Sequence, residues 1–389
     1  MLLNAFRSLF SNSQNRKARR SCPPQLLQLE GRIVPAVLDP ITLPSSTVTL
    51  YDPNTGAETG QAAPFPGFTG AINVAWGDLN NDGVQEIFAA AGPSGGPAIA
   101  ILNSQTGEVI KSFFAFDPAF RGGTSIAVKD FNKDGVPDIF AAAGQGGGPE
   151  IRIFDGSNLN VLRSFFAYAE DFMGGANVAA FDFNNDSIPE IVTGAGKGGA
   201  AHAKVFDGAT NAIISQWYAY PTDFIGGMFV GAGDIGNDGT FEVVTGPGDG
   251  GKPVVAVWNA LTGGLLTQFM AYAEDVTGGV RVGFIDGGYG NVDIVTSAGT
   301  VGVDNGAGGV GSIPANSPLN GAGQLTGSTV SSHVKVFSFP GLEILFQFYN
   351  DGNPRNLREF IILRDSGLPP PGNSFTPADS GNPNITKTN

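Results

Sequence analysis

Short apolar runs rich in Val, Ile, Phe and Ala recur along the chain, each bounded by Gly, Asp or Asn. In one stretch they fall at roughly 124–129, 138–143, 150–154 and 161–168. Runs of this length between turn residues predict β-strands joined by hairpins, and no segment keeps a long 3.6-residue period, so helices are not expected. The pattern itself repeats. Asp78, Asp130, Asp182, Asp234 and Asp286 stand 52 residues apart. Around them recur WGDLNNDGVQEIFAAAG, VKDFNKDGVPDIFAAAG, FDFNNDSIPEIVTGAG and GDIGNDGTFEVVTGPG. An aromatic strand follows in each unit (FFAF 113–116, FFAY 165–168, WYAY 217–220, FMAY 269–272), then a Gly pair at 122–123, 174–175, 226–227 and 278–279. Four strands per repeat of this length describe a propeller blade. The predicted fold is therefore all-β, a single β-propeller of four-stranded blades. Six blades are expected, with five or seven as the alternatives.

The ends of the repeat array predict how the ring closes. Residues 46–66 align with the third and fourth strands of a unit, and so does HVKVFSFPGLEILFQFY at 333–349. The second copy arrives 27 residues late because a Gly- and Ser-rich insertion occupies 300–331. LREFIILRD at 357–365 then reads as a lone first strand, so the sixth blade draws strands from both termini and leaves no long open edge. The expected organisation is a basic, disordered targeting segment at 1–36, a propeller at 46–365, and a disordered Pro-, Asn- and Ser-rich tail at 366–389.

Composition narrows the function. A chain with 29 Phe and only 14% charged residues is not disordered over most of its length. One Cys, Cys22, excludes a disulfide framework and a Cys-based zinc site, and two His leave little room for His-dependent chemistry. No apolar run is long enough for a transmembrane helix. The net charge is −14, but residues 1–36 carry +5, which leaves −19 on the remainder. A body so acidic is repelled by nucleic acid and anionic lipid and suits cations. The basic segment contains LEGRIVPA at 29–36, which resembles the L-E-x-R-x-V-P-A sorting motif near the start of many secreted bacterial repeat proteins. That resemblance implies export to the cell surface or beyond.

Three loops fit D-x-N-x-D-[GS]-x-x-[DE]: Asp78, Asn80, Asp82, Glu86; Asp130, Asn132, Asp134, Asp138; and Asp182, Asn184, Asp186, Glu190. Oxygens at positions 1, 3, 5 and 9 of a tight loop converge on one point. A backbone carbonyl joins them from position 7 (Val84, Val136, Ile188), and this all-oxygen set is calcium chemistry. Position 6 must turn sharply, which favours Gly. A fourth loop keeps Asp234, Asp238 and Glu242 but has Gly236 at position 3. The fifth, from Asp286 to Asp293, is one residue short and reads as an ordinary turn. Turn-forming Asp and Asn without metal are the competing explanation for all of these loops.

With these loops in register, residues 46–365 resemble the FG-GAP (VCBS-type) repeat family, the integrin-alpha-like propeller. The resemblance implies calcium loops in the hairpin between the first two strands of a blade. It places the chain among adhesion receptors, secreted binding proteins and some carbohydrate-active enzymes. Two departures are the decay of the later loops and an A-G-x-G-G-x-P element in each period.

Other motif matches carry little. Gly92–Gly96 matches G-x-S-x-G but joins two strands, and the equivalents of Ser94 are Gly146, Gly198 and Gly250. Gly194–Gly199 matches G-x-G-x-x-G without opening a helix. His202 and His333 share one repeat position, and the FFAY-type strands are expected to pack between blades. No non-repeating cluster suggests catalysis, apart from the insertion and Arg355, Arg358, Glu359 and Arg364. The expected role is a secreted or surface calcium-binding module, non-catalytic and monomeric, with a protein or polysaccharide ligand. A polysaccharide lyase or hydrolase is the alternative. The ligand is expected on the face opposite the calcium loops, near the insertion.

Overall fold

In the computed structural model the described residues are 48–51, 58–235, 238–274, 276–288, 291–298, 332–337, 342 and 344–350. They belong to one compact unit, Gln25–Leu357; the second unit, Met1–Pro24 with Arg358–Asn389, lies outside the described residues. Secondary structure among them is β-strand throughout, with no helix.

Five antiparallel four-stranded sheets follow in chain order, each a simple meander. The first holds β3 (Ile72–Gly77), β4 (Glu86–Ala91), β5 (Ala98–Leu102) and β6 (Val109–Phe114). The second holds β7 (Thr124–Lys129), β8 (Asp138–Ala143), β9 (Glu150–Phe154) and β10 (Val161–Phe166). The third holds β11 (Ala176–Phe181), β12 (Glu190–Ala195), β13 (His202–Phe206) and β14 (Ile213–Tyr218). The fourth holds β15 (Met228–Gly233), β16 (Glu242–Pro247), β17 (Val254–Asn259) and β18 (Leu265–Met270). The fifth holds β19 (Val280–Gly288), β20 (Asn291–Ala298), β21 (Ser332–Phe337) and β22 (Ile344–Asn350). The first strands β3, β7, β11, β15 and β19 stand side by side in that order, as in a β-propeller. The insertion thus joins the second and third strands of the fifth sheet, and its own residues lie outside those described.

Both faces of the first four sheets are covered. The second strands of these four sheets are buried at every position, which accounts for unbroken apolar runs such as EIFAAA and DIFAAA. In the first sheet Phe88, Ala90, Ile99 and Ile101 pack against Ile126, Ile139 and Ala141 of the second. On the opposite face Ile87, Ala89, Ala100 and Leu102 pack against Val48, Leu50 and Ala62. These last come from β1 (Val48–Tyr51) and β2 (Glu58–Ala62), an antiparallel pair that covers the first sheet as a preceding blade would. The remaining strand assigned to a sixth blade, 357–365, lies outside the described residues.

The aromatic strands divide their side chains rather than burying them all. The second aromatic position of each element is exposed, at Phe114, Phe166 and Tyr218, and so is Met270. These are outermost strands with one neighbour, so alternate residues face away from the sheet. The last residue of each element turns inward. Tyr168 donates its hydroxyl to the His202 carbonyl at 2.6 Å and stands 3.1 Å from Thr193 Oγ1; Tyr220 similarly reaches the Val254 carbonyl at 2.9 Å. Where the first unit has Phe116, the facing position is Ala141, so hydroxyls appear and disappear together.

The Gly pairs exist because successive blades touch backbone to backbone. A Cβ on Gly122 would meet the Gln145 carbonyl, and Gly123, at φ 76°, lies against the backbone of Gly92. The A-G-x-G-G element supplies the other side. Gly144 N donates to Gly123 O at 3.0 Å, and Gly146 N to Met173 O at 2.8 Å. Ser94 sits in this turn with φ 71°, between β4 and β5.

Removing residues 46–66 should expose the Ile87, Ala89, Ala100 and Leu102 face. The truncated chain is expected to bind an apolar dye and to lose cooperative unfolding. A sharp, monomeric transition equal to that of the intact chain would contradict the capping role of β1 and β2.

Candidate metal centre

Each acidic loop is the hairpin between the first and second strands of a sheet, and its backbone follows from the motif. Position 4 is left-handed in the first three loops (Asn81 φ 56°, Lys133 φ 64°, Asn185 φ 58°). Position 6 is left-handed in all four (Gly83 φ 85°, Gly135 φ 85°, Ser187 φ 67°, Gly239 φ 79°). Position 1 organises the turn. Asp78 accepts from Asp82 N at 3.1 Å and Gly83 N at 2.8 Å, while Asp182 accepts from Asp186 N at 3.2 Å and Ser187 N at 2.9 Å. Asp130 accepts from Lys133 N and Gly135 N at 2.7 and 2.9 Å. Position 3 (Asn80, Asn132, Asn184) accepts from the position-5 amide at 2.8–3.0 Å. Position 5 (Asp82, Asp134, Asp186) accepts from the position-7 amide of Val84, Val136 or Ile188 at 2.7–2.8 Å.

The position-9 acid joins the loop to the sheet. Glu86, Asp138, Glu190 and Glu242 open β4, β8, β12 and β16, and none is more than 2% exposed. Each accepts from the position-2 amide (Leu79, Phe131, Phe183, Ile235) at 2.6–2.8 Å. Asp138 spends its other oxygen on Gly156 N at 2.9 Å. Burial raises all four carboxyls above the usual range, against the backbone hydrogen bonds. Repulsion from Asp78 and Asp82 adds to it at Glu86, from Asp134 at Asp138, and from Asp182 and Asp186 at Glu190. Glu242 is pushed up to about 7, by burial first and then by Asp238 and Asp234.

The donor set fits a hard cation. In the third loop Asn184 Nδ2 lies 3.1 Å from Asp186 Oδ2 and 3.0 Å from Glu190 Oε1, so positions 3, 5 and 9 already meet. Turning that amide by 180° puts an oxygen in the same place, in exchange for the bond from Asp186 N. Asn132 Nδ2 is likewise 3.0 Å from Asp134 Oδ2. With hydrogen bonds holding the acids to backbone amides, no group of three His, Cys, Asp or Glu side chains stands around a common point among the described residues. The fourth loop keeps the same frame despite Gly236: Asp234 accepts from Asp238 N at 3.0 Å and Gly239 N at 3.2 Å, and Asp238 from Thr240 N at 2.7 Å. In the fifth, strand pairing runs through Asp286 opposite Val292, so strands take the place of a loop.

The sequence reading missed Asp155. It lies in the hairpin between β9 and β10, and its Oδ2 is 3.4 Å from Asn132 Nδ2 of the second loop. The signal was present, since Asn103, Asp155, Asp207 and Asn259 are also 52 residues apart.

The family model described as FG-GAP-like repeat matches residues 78–141 and 130–193, each span running from one acidic loop through the next. Residues 78–193 carry FG-GAP-like repeats. No curated protein matches the chain. Among solved structures, that of U3-55K is similar at 11% identity and a TM-score of 0.42, over 66% of this chain and 69% of that one.

Two outcomes follow for the acidic loops. Ser187→Gly should stabilise the chain by about 0.5–1 kcal/mol, because a left-handed L-residue costs about 1–2 kcal/mol and glycine's freedom in the unfolded chain offsets part of that. Urea unfolding measures it, and a loss of stability would contradict the strain. In chelator, Glu242 binds a proton more tightly folded than unfolded, so its contribution to stability should fall as pH rises from about 4.5 to about 7. Glu242→Gln should flatten that slope; an unchanged slope would contradict the assignment.

Proposed function

We propose that this chain is a calcium-stabilised propeller acting as a non-catalytic binding module for a protein or polysaccharide at the cell surface or outside the cell. The observation that carries the calcium part is the meeting of positions 3, 5 and 9 at 3.0–3.1 Å in the third loop, on a frame repeated in the other loops. The ligands would be Asp78, Asn80, Asp82, Val84 O and Glu86, with their equivalents in the second and third loops, and Asp234, Asp238 and Glu242 in the fourth. Bound calcium supplies the charge that offsets the mutual repulsion of these acids. The residues themselves fix the hairpins of one face and lock each first strand to its second.

The FG-GAP-like repeats and the acidic body support a binding or adhesion role. Ser94 lies between two strands, β4 and β5, rather than on the strand-to-helix turn of a hydrolase nucleophile, which supports a non-catalytic one. The LEGRIVPA motif supports export, where calcium reaches the level that modules of ~10⁻⁴–10⁻³ M affinity need.

Differential scanning in calcium and in excess chelator tests the reading. With a dissociation constant of ~0.1 mM and ~1–2 mM free calcium, each site contributes about 1.4–1.8 kcal/mol. Asp134→Ala should shrink the calcium-dependent rise in Tm, measured against the variant's own chelated Tm. A wild-type Tm indifferent to chelator would overturn the calcium reading.

A further inference from the structure

The second residue of each first strand faces the middle of the ring: Asn73, Ser125, Asn177, Phe229 and Arg281, again 52 residues apart. Three of them tie down the next strand's bare edge. Asn73 Nδ2 donates to Thr124 O at 2.8 Å, Asn177 Nδ2 donates to Met228 O at 2.7 Å, and Ser125 Oγ accepts from Val178 N at 3.2 Å. Arg281 Nη1 donates to Asn73 Oδ1 at 2.8 Å, across from the fifth sheet to the first, and its guanidinium lies 4.7 Å from the Phe229 ring. A neutral amide would satisfy that hydrogen bond. The charge is not needed for it, and burial alone pulls the Arg281 pKa down to about 10. Among the described residues no carboxylate pairs with it, although the chain has 35 acids.

Directly opposite Arg281 on β20 is Ser297. It is 3% exposed, and its Oγ has no hydrogen-bond partner. The cross-strand partners of the other four positions are Ala90, Ala142, Gly194 and Gly246, which carry no polar group. So the fifth sheet alone places a cation and an orphan hydroxyl side by side, and both line a cavity of about 230 Å³. Arg281 is partly buried, where a guanidinium gains from a counter-charge, and the buried Ser297 hydroxyl is costly without a partner. One ligand answers both deficits.

We propose that this axial cavity binds a small oxyanion, a carboxylate or sulfate group, through Arg281 and Ser297. The guanidinium retains donors beyond the one given to Asn73, and its fork matches the oxygens of such a group. Ser297 adds a hydroxyl donor, and Phe229 holds the guanidinium plane. The volume suits an ion or one acidic substituent rather than an extended chain. The site is separate from the acidic loops and does not rest on their binding calcium.

Trp76 lines the same cavity and provides a probe. The full chain, held in ~1 mM calcium, would be titrated with sodium sulfate and, separately, sodium acetate, against sodium chloride at equal ionic strength. Tryptophan fluorescence and Tm would be read together. Saturable responses to sulfate or acetate, absent with chloride, are expected, and the two arms separate tetrahedral from planar anions. Arg281→Gln, which can keep the Asn73 contact, should abolish the response. Ser297→Ala should weaken it about tenfold, as loss of a hydrogen bond to a charged group does. Equal responses in chloride, no response in wild type, or an undiminished response in Arg281→Gln would each overturn the proposal. The calcium-dependent Tm of both variants should match that of wild type, so failure here is distinct from failure of the metal reading.

Discussion

Four buried carboxylates hold the repeat together: Glu86, Asp138, Glu190 and Glu242 stand at the junction of acidic hairpin and second strand. Each is sealed from solvent yet hydrogen-bonded to a loop amide at 2.6–2.8 Å. A carboxylate there must be protonated, paired with amides, or matched by a cation. The loop supplies the amides and brings two further acids close. The same residue therefore fixes the hairpin's shape and makes it electrostatically incomplete. Everything on that face of the ring inherits this tension.

The opposite end of each sheet is governed by sterics. Gly123 lets the linker lie on the turn of the blade before it and Gly122 on the turn of the blade it enters, while Gly144 bonds back to Gly123 and Gly146 to Met173 of the following linker. Between the two ends the first strands line the axis. There the repeat relaxes: backbone spacing is kept while identity drifts from Asn73 to Arg281. A periodic scaffold needs the same backbone in every unit but not the same axial side chain, so this is where one unit can acquire chemistry of its own.

Much of the fold was legible because glycine and aspartate punctuate it at a fixed interval. The strands expected at 124–129, 138–143 and 150–154 are Thr124–Lys129, Asp138–Ala143 and Glu150–Phe154. The fourth ends at Phe166 rather than 168, since Ala167 and Tyr168 turn inward beyond the strand. Exposure of Phe114 was not legible, because burial on an outermost strand depends on a neighbour that sequence does not reveal. The acidic loops were found by their spacing, and the structure added how each oxygen is held. The Arg281–Ser297 pair escaped notice for the opposite reason. Comparing units in register directs attention to what repeats, whereas this pair joins residues 16 apart only through strand pairing.

The most direct test of the calcium account is anomalous diffraction from crystals soaked in a lanthanide that substitutes for calcium. The account predicts peaks in the first three acidic hairpins, bounded by Asp78–Glu86, Asp130–Asp138 and Asp182–Glu190. Crystals that diffract well but show no anomalous density in any of these hairpins would contradict it.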